Sequence, residues 1–200
     1  MTPRIFRTYK VKANQGYDCT VVQAARATAA TPDLFKPVFI TFGGVSETFI
    51  GAGLRYSNPS NLTLDEAVIV FGLSQPVSCL VNIGAGNSGY ISWKPNNAFN
   101  PKMMELLHKI AIDCEDIAEH LTKNYMQMPG FFYRLSVSQG LQKMAVDDWS
   151  KQGEIQTHSL AYLQEAKTTE QLNDLVKTLH SCSEKTTLGA LCKFFISYST

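Results

Sequence analysis

The chain has no Cys-x-x-Cys pair, no run of Lys or Arg, no apolar stretch long enough for a bilayer and no Gly-x-Ser-x-Gly turn. Each absence removes a class of function. Five cysteines at irregular spacing, without a paired motif, give no zinc framework, and they read as reduced, mostly packed thiols. A formal charge of +1 with scattered basic residues gives no electrostatic reason for a nucleic-acid partner or an anionic membrane. The longest apolar run, residues 67–73, contains Gly72 and is too short to span, so no transmembrane segment is expected. Residues 1–12 are mixed polar and basic without an apolar core, so no secretory signal is expected and the reading is cytoplasmic. No metal and no cofactor is expected.

What is present is an ordinary globular composition, 44% hydrophobic over 200 residues. Residues 5–11 read as a strand. Asp18 is a candidate N-cap for an Ala-rich helix over 19–30, with Val21, Val22, Ala25 and Ala29 near one face and Pro32 beyond its end. Residues 37–42 read as a strand, Gly43-Gly44 as a turn and 47–50 as a further extended piece. A helix is expected over 62–71, with Thr63 and Glu66 at capping-box spacing and Gly72 as its C-terminal cap. The apolar residues 77–83 read as one buried strand, which implies a parallel sheet covered on both faces.

An Asn- and Pro-rich loop over 92–101 separates two expected parts, 1–100 as α/β core and 101–200 as a mainly helical tail. Residues 102–126 carry long helical periodicity, 131–137 alternate as a strand, and 155–165, 170–179 and 187–195 read as helices.

Candidate chemistry is sparse. Gly84-Ala85-Gly86-Asn87-Ser88-Gly89 follows a strand, but no helix start follows it, and Ser88 has Tyr90 where a nucleophile turn needs glycine. A strand-end turn is the better reading. His108, His120, His158 and His180 fall on helical segments without metal spacing. Asp113, Glu115, Asp116 and Glu119 read as a solvated helix face, with ion pairing for His120.

One stretch is more specific. Gly51-Ala52-Gly53-Leu54 followed by Asn58-Pro59 resembles the second catalytic motif of patatin-like phospholipases, where Asp-Gly-Gly or Asp-Gly-Ala precedes Leu and Asn-Pro. Other blocks follow in the family's order. Residues 19–35 resemble its Ala-Arg-Ala-Thr-Ser-Ala-Ala-Pro helix, residues 77–86 its next core strand, and residues 131–141, 148–149, 155–158 and 162–163 its tail.

The resemblance covers about residues 5–179. It implies the C-terminal part of a three-layer α/β sheet sandwich that hydrolyses lipid acyl esters with a Ser-Asp dyad. The family's oxyanion loop and nucleophile would precede this motif, and neither occurs in the 200 residues. The dyad Asp position is Gly51, so no catalytic residue is assigned and Gly51, Ala52, Gly53, Asn58 and Pro59 are a motif remnant. Losing a positioned base costs roughly 10²–10⁴ in rate. Glu47 is a substitute only if the backbone rearranges.

The expectation is an inactive fragment or degenerate copy, a pseudoenzyme of lipid degradation. Its sheet edges would be left open, so the chain by itself is expected to be marginal, to associate, or to need a protein partner that completes the sheet. The alternatives are an interaction module of a larger signalling protein and a remnant that binds a lipid or acyl ester.

Overall fold

The computed structural model describes residues 3–11, 18–32, 34–87, 107, 109–111, 113–142, 144–145 and 147–196. The expected loop at 13–17, Ser88, the loop at 92–101, His108 and most of the helix expected from 102 lie outside them. The chain is mixed α/β with small sheets, and it divides into two units. One comprises Met1–Ser57 with Asn100–Ile112, the other Asn58–Phe99 with Asp113–Thr200.

In the first unit, helix α1 (Val21–Thr28) starts at Thr20 rather than Asp18. Thr20 Oγ1 accepts the Gln23 N–H at 3.2 Å, and Gln23 Oε1 accepts the Thr20 N–H at 2.8 Å, a reciprocal capping box. The expected face is the wrong one. Val21 and Val22 are exposed, whereas Ala27 and Ala30 are buried against the hairpin β1 (Val38–Phe42) and β2 (Val45–Phe49). Small residues at this seam let the helix sit close to Val38, Ile40 and Phe49. Gly43 and Gly44, at φ 57° and 82°, supply the left-handed pair that a two-residue hairpin turn requires. Residues 5–11 form no strand. Phe6 of that stretch instead packs its ring on Phe49, with centroids 5.4 Å apart.

In the second unit, helix α2 (Ser60–Phe71) begins two residues earlier than expected, and Thr63 is already inside it, donating to the Pro59 carbonyl. Gly72 closes it at φ 82° as anticipated. The single strand expected at 77–83 is two short ones with different partners. Strand β3 (Pro76–Val77) pairs antiparallel with β6 (Thr186–Thr187), and β4 (Leu80–Ile83) pairs parallel with β5 (Phe132–Leu135). Nor is β4 buried throughout: Asn82 is its buried residue and Ile83 is 78% exposed. The β4–β5 sheet has two strands, so a sheet covered on both faces is not formed among the described residues.

Helix α3 (Glu115–Asn124) is separate from the helical residues before it, since Asp113 and Cys114 are not helical. Helices α4 (Gln152–Gln164), α5 (Ala166–Ser181) and α6 (Leu188–Ile196) make the C-terminal part mainly helical. The core is Leu64, Leu121, Tyr125, Phe131, Leu188 and Leu191. It takes apolar residues from α2, α3, α6 and the turn before β5. Among the described residues no helix is long and apolar enough to cross a membrane.

Tyr125 sits edge-on to Phe131 at 5.0 Å in this core. Burial, with a smaller contribution from nearby Cys192, pushes its phenol up to about 12. An unfolded tyrosine ionises near pH 10, roughly. Above that pH the unfolded chain loses a proton that the folded chain keeps, so stability is full below pH 10 and is lost as pH rises toward 12. Melting temperature against pH is expected to fall over this window, and Tyr125→Phe is expected to flatten the fall. An unchanged slope in the variant would assign the loss elsewhere.

Candidate functional site

The motif remnant is split between the two units. Gly51, Ala52 and Gly53 belong to the first, Asn58 and Pro59 to the second. Each half has its own local structure.

Gly51 follows β2 and opens a 3-10 turn, Ala52–Leu54. It is buried, and its N–H donates to the Ala30 carbonyl at 2.7 Å. A Cβ at this position would lie 3.0 Å from the Thr28 carbonyl oxygen and 3.1 Å from backbone atoms of Ala30 and Thr31. The end of α1 therefore closes the space that a side chain at 51 would need. Its φ of −59° is ordinary, so the constraint is closeness and not backbone conformation. Glu47 lies on β2, with its Oε1 accepting from Arg4 Nη2 at 2.8 Å and Nε at 3.1 Å. This pair lines one cleft together with Gly51.

Asn58 is a buried hub. Its Nδ2 donates to the Cys114 carbonyl at 3.1 Å. Its Oδ1 accepts from the Ser60 backbone N–H at 3.3 Å, from Ser60 Oγ at 2.9 Å and from Asn82 Nδ2 at 2.8 Å. The Ser60 bond satisfies one of the unpaired N–H groups at the start of α2, which explains its early start. Asn82 also donates to Ser60 Oγ, and its own Oδ1 accepts from Arg134 Nη1. Arg134 Nη2 then reaches Glu115 Oε1, with Cys114 Sγ 3.5 Å away. Five side chains, Asn58, Ser60, Asn82, Arg134 and Glu115, thus link α2, β4, β5 and α3 in one polar chain.

This overturns the reading of Glu115 as part of a solvated face. Glu119 does sit on the solvated side, paired with Lys123 at 2.7 Å. Asp113 accepts the Glu115 N–H at 2.9 Å.

The chain of bonds suits structure better than chemistry. Ser60 Oγ donates to an amide oxygen, not to a base. Burial pushes the Cys114 thiol up, only partly offset by Arg134, so it is a protonated thiol near neutral pH. Among the described residues no group of three or more His, Cys, Asp and Glu could hold a metal. His158 packs over Gly140, a glycine at φ 92° where any side chain would collide with the imidazole. His180 lies in the last turn of α5.

Glycine at 84 is required for close approach, since a Cβ there would be 2.6 Å from both Arg134 Nη2 and Ser136 Oγ. The Gly84–Gly86 segment therefore ends β4 and makes way for Arg134. No family model, curated protein or solved structure matches this chain.

Arg134→Met is expected to cost about 1–2 kcal/mol, because it leaves the buried Asn82 amide oxygen without its donor, while the Glu115 carboxylate, 34% exposed, is partly rehydrated. The double variant Glu115→Gln/Arg134→Met removes the unpaired charge and is expected to be more stable than the single one. Urea melts of both, giving equal losses, would show that packing and not charge sets the cost.

Proposed function

We propose that the chain is the C-terminal part, or a degenerate copy, of a patatin-like acyl hydrolase domain without hydrolytic chemistry of its own. The observation that carries this is Gly51. The position that the resemblance assigns to the dyad Asp has no side chain, and α1 closes the space in which one would stand. The reading includes the three-layer sandwich as the parent architecture, supported by the parallel β4–β5 pair between helical segments. Five free thiols suit a reducing compartment, which favours the cytoplasm.

Glu47 is a poor substitute base in this arrangement, because its Oε1 is already engaged by two N–H groups of Arg4. The purified chain is expected to hydrolyse p-nitrophenyl butyrate no faster than buffer. Gly51→Asp is expected to add no turnover and to cost about 1–3 kcal/mol through overpacking. Turnover that Glu47→Ala abolishes would overturn the proposal.

A second reading, a non-enzymatic interaction module, is favoured by the apolar residues exposed on and after α2: Ile69, Val70, Phe71 and Leu73. A helix apolar on several sides is normally covered on several sides. Replacing Ile69 and Phe71 with Gln is expected to leave the melting temperature nearly unchanged while abolishing self-association or partner capture, read by sedimentation velocity. A large drop in melting temperature would instead make these residues part of the unit's own packing.

A further inference from the structure

Strand β4 has one edge paired and one edge open. In the parallel β4–β5 ladder the Leu80 N–H donates to the Phe131 carbonyl at 2.7 Å and the Gly84 N–H to the Leu135 carbonyl at 2.8 Å. Bonding groups alternate along a strand, so residues 80, 82 and 84 face β5, and the N–H and C=O groups of Val81 and Ile83 point the other way. Among the described residues no strand pairs with β4 on that side, and no backbone bond reaches Val81 or Ile83 there. The far edge of β5 differs. Its outward Arg134 carbonyl accepts from Gln171 Nε2 at 3.3 Å, which brings α5 against it.

The open edge carries none of the usual blocks to pairing. Residues 76–87 contain no charged side chain, and β4 contains no proline. Val81 is 36% exposed and Ile83 78% exposed, and as alternate residues they share one face of the strand. Asn82 faces the opposite way, into the buried polar chain, so the exposed face is purely aliphatic.

A second copy of the same strand fits this edge. Set antiparallel about a two-fold axis at Asn82, Val81 stands opposite Ile83 of the other copy, and Ile83 opposite Val81 of the other copy. Both are hydrogen-bonded pairs, so every outward N–H and C=O of the two strands finds a partner. The same register sets Val against Ile on the exposed face, a β-branched cross-strand pair. No like charges meet, and a strand selected by its own charge would gain nothing from this edge. We infer that β4 pairs with β4 of a second copy, antiparallel and in this register, joining the two β4–β5 sheets into one. The inference rests on neither functional reading above, and β4 is distinct from the α2 residues Ile69 and Phe71.

The test is sedimentation velocity with amide hydrogen exchange on the full chain, over roughly 1 μM–1 mM, the range of weak association. Mass is expected to approach twice the monomer's as concentration rises. The Val81 and Ile83 amides are expected to become protected over the same range, whereas those of Leu80 and Gly84 are protected throughout. Ile83→Pro removes an outward donor and spares the β5 ladder, so it is expected to abolish association with the melting temperature nearly unchanged. Val81→Lys/Ile83→Lys and Val81→Glu/Ile83→Glu are each expected to be monomeric, and their equimolar mixture to associate, because the register sets Lys against Glu. A chain that stays monomeric, or a dimer without added protection at 81 and 83, would overturn the inference. So would association that Ile83→Pro leaves intact and Ile69→Gln/Phe71→Gln removes. The exchange measurement needs no variant, so it decides the matter even if a substitution unfolds the chain.

Discussion

Arg134 is the constraint on which the second unit depends. Its side chain lies across from Asn82 on the neighbouring strand and reaches Glu115 at the start of α3. A guanidinium placed there must find acceptors or cost several kcal/mol, roughly. The surroundings are consistent with that demand. Asn82 turns inward while its strand neighbours Val81 and Ile83 are exposed, Glu115 at the start of α3 reaches the guanidinium from a partly exposed position, and Gly84 has no side chain to obstruct. Asn58 and Ser60 extend the same chain of bonds to the beginning of α2. The apolar core of Leu121, Phe131 and Leu191 supplies burial, and the polar chain sets which elements meet.

The first unit is governed by closeness instead of polarity. Ala27 and Ala30 bring α1 onto the hairpin, and Gly51 lets the chain pass beneath the end of that helix. The same contact that packs the unit leaves a side chain at 51 crowded against the backbone of Thr28, Ala30 and Thr31. In this chain the position has a packing role that favours glycine for a reason unrelated to any proton transfer.

Local signals were legible in the sequence. Gly43-Gly44 marked a turn, Gly72 marked the end of α2, and the helical patterns over 155–165, 170–179 and 187–195 fell on α4, α5 and α6. The failures came where a partner distant in sequence decided the outcome. Residues 77–83 are uniformly apolar apart from Ser78 and Asn82, so nothing local said that Asn82 would be the buried one or that the stretch would break between two partner strands. Thr20 outcompeted Asp18 as a cap because Gln23 could return the bond. The remnant motif was legible as residues, but its division between Ser57 and Asn58 was not, since a run of turn-forming residues carries no period. The Arg4–Glu47 pair joins residues 43 apart in the chain, and no pattern on either side foretells it.

The β4–β5 register also bears on how the chain reaches its native state. It matches residue 80 with residue 132, whereas the β1–β2 hairpin closes over two glycines. A hairpin forms in about 1–10 μs, while a parallel pair must first bring distant segments together before any bond rewards the lost chain entropy. Acquisition of order is therefore staggered: the hairpin nucleates locally, and the parallel ladder waits for a long loop to close. Throughout that delay the uncharged segment Leu80-Val81-Asn82-Ile83 remains an unpaired strand in a collapsing chain, and this is the interval in which aggregation competes with folding.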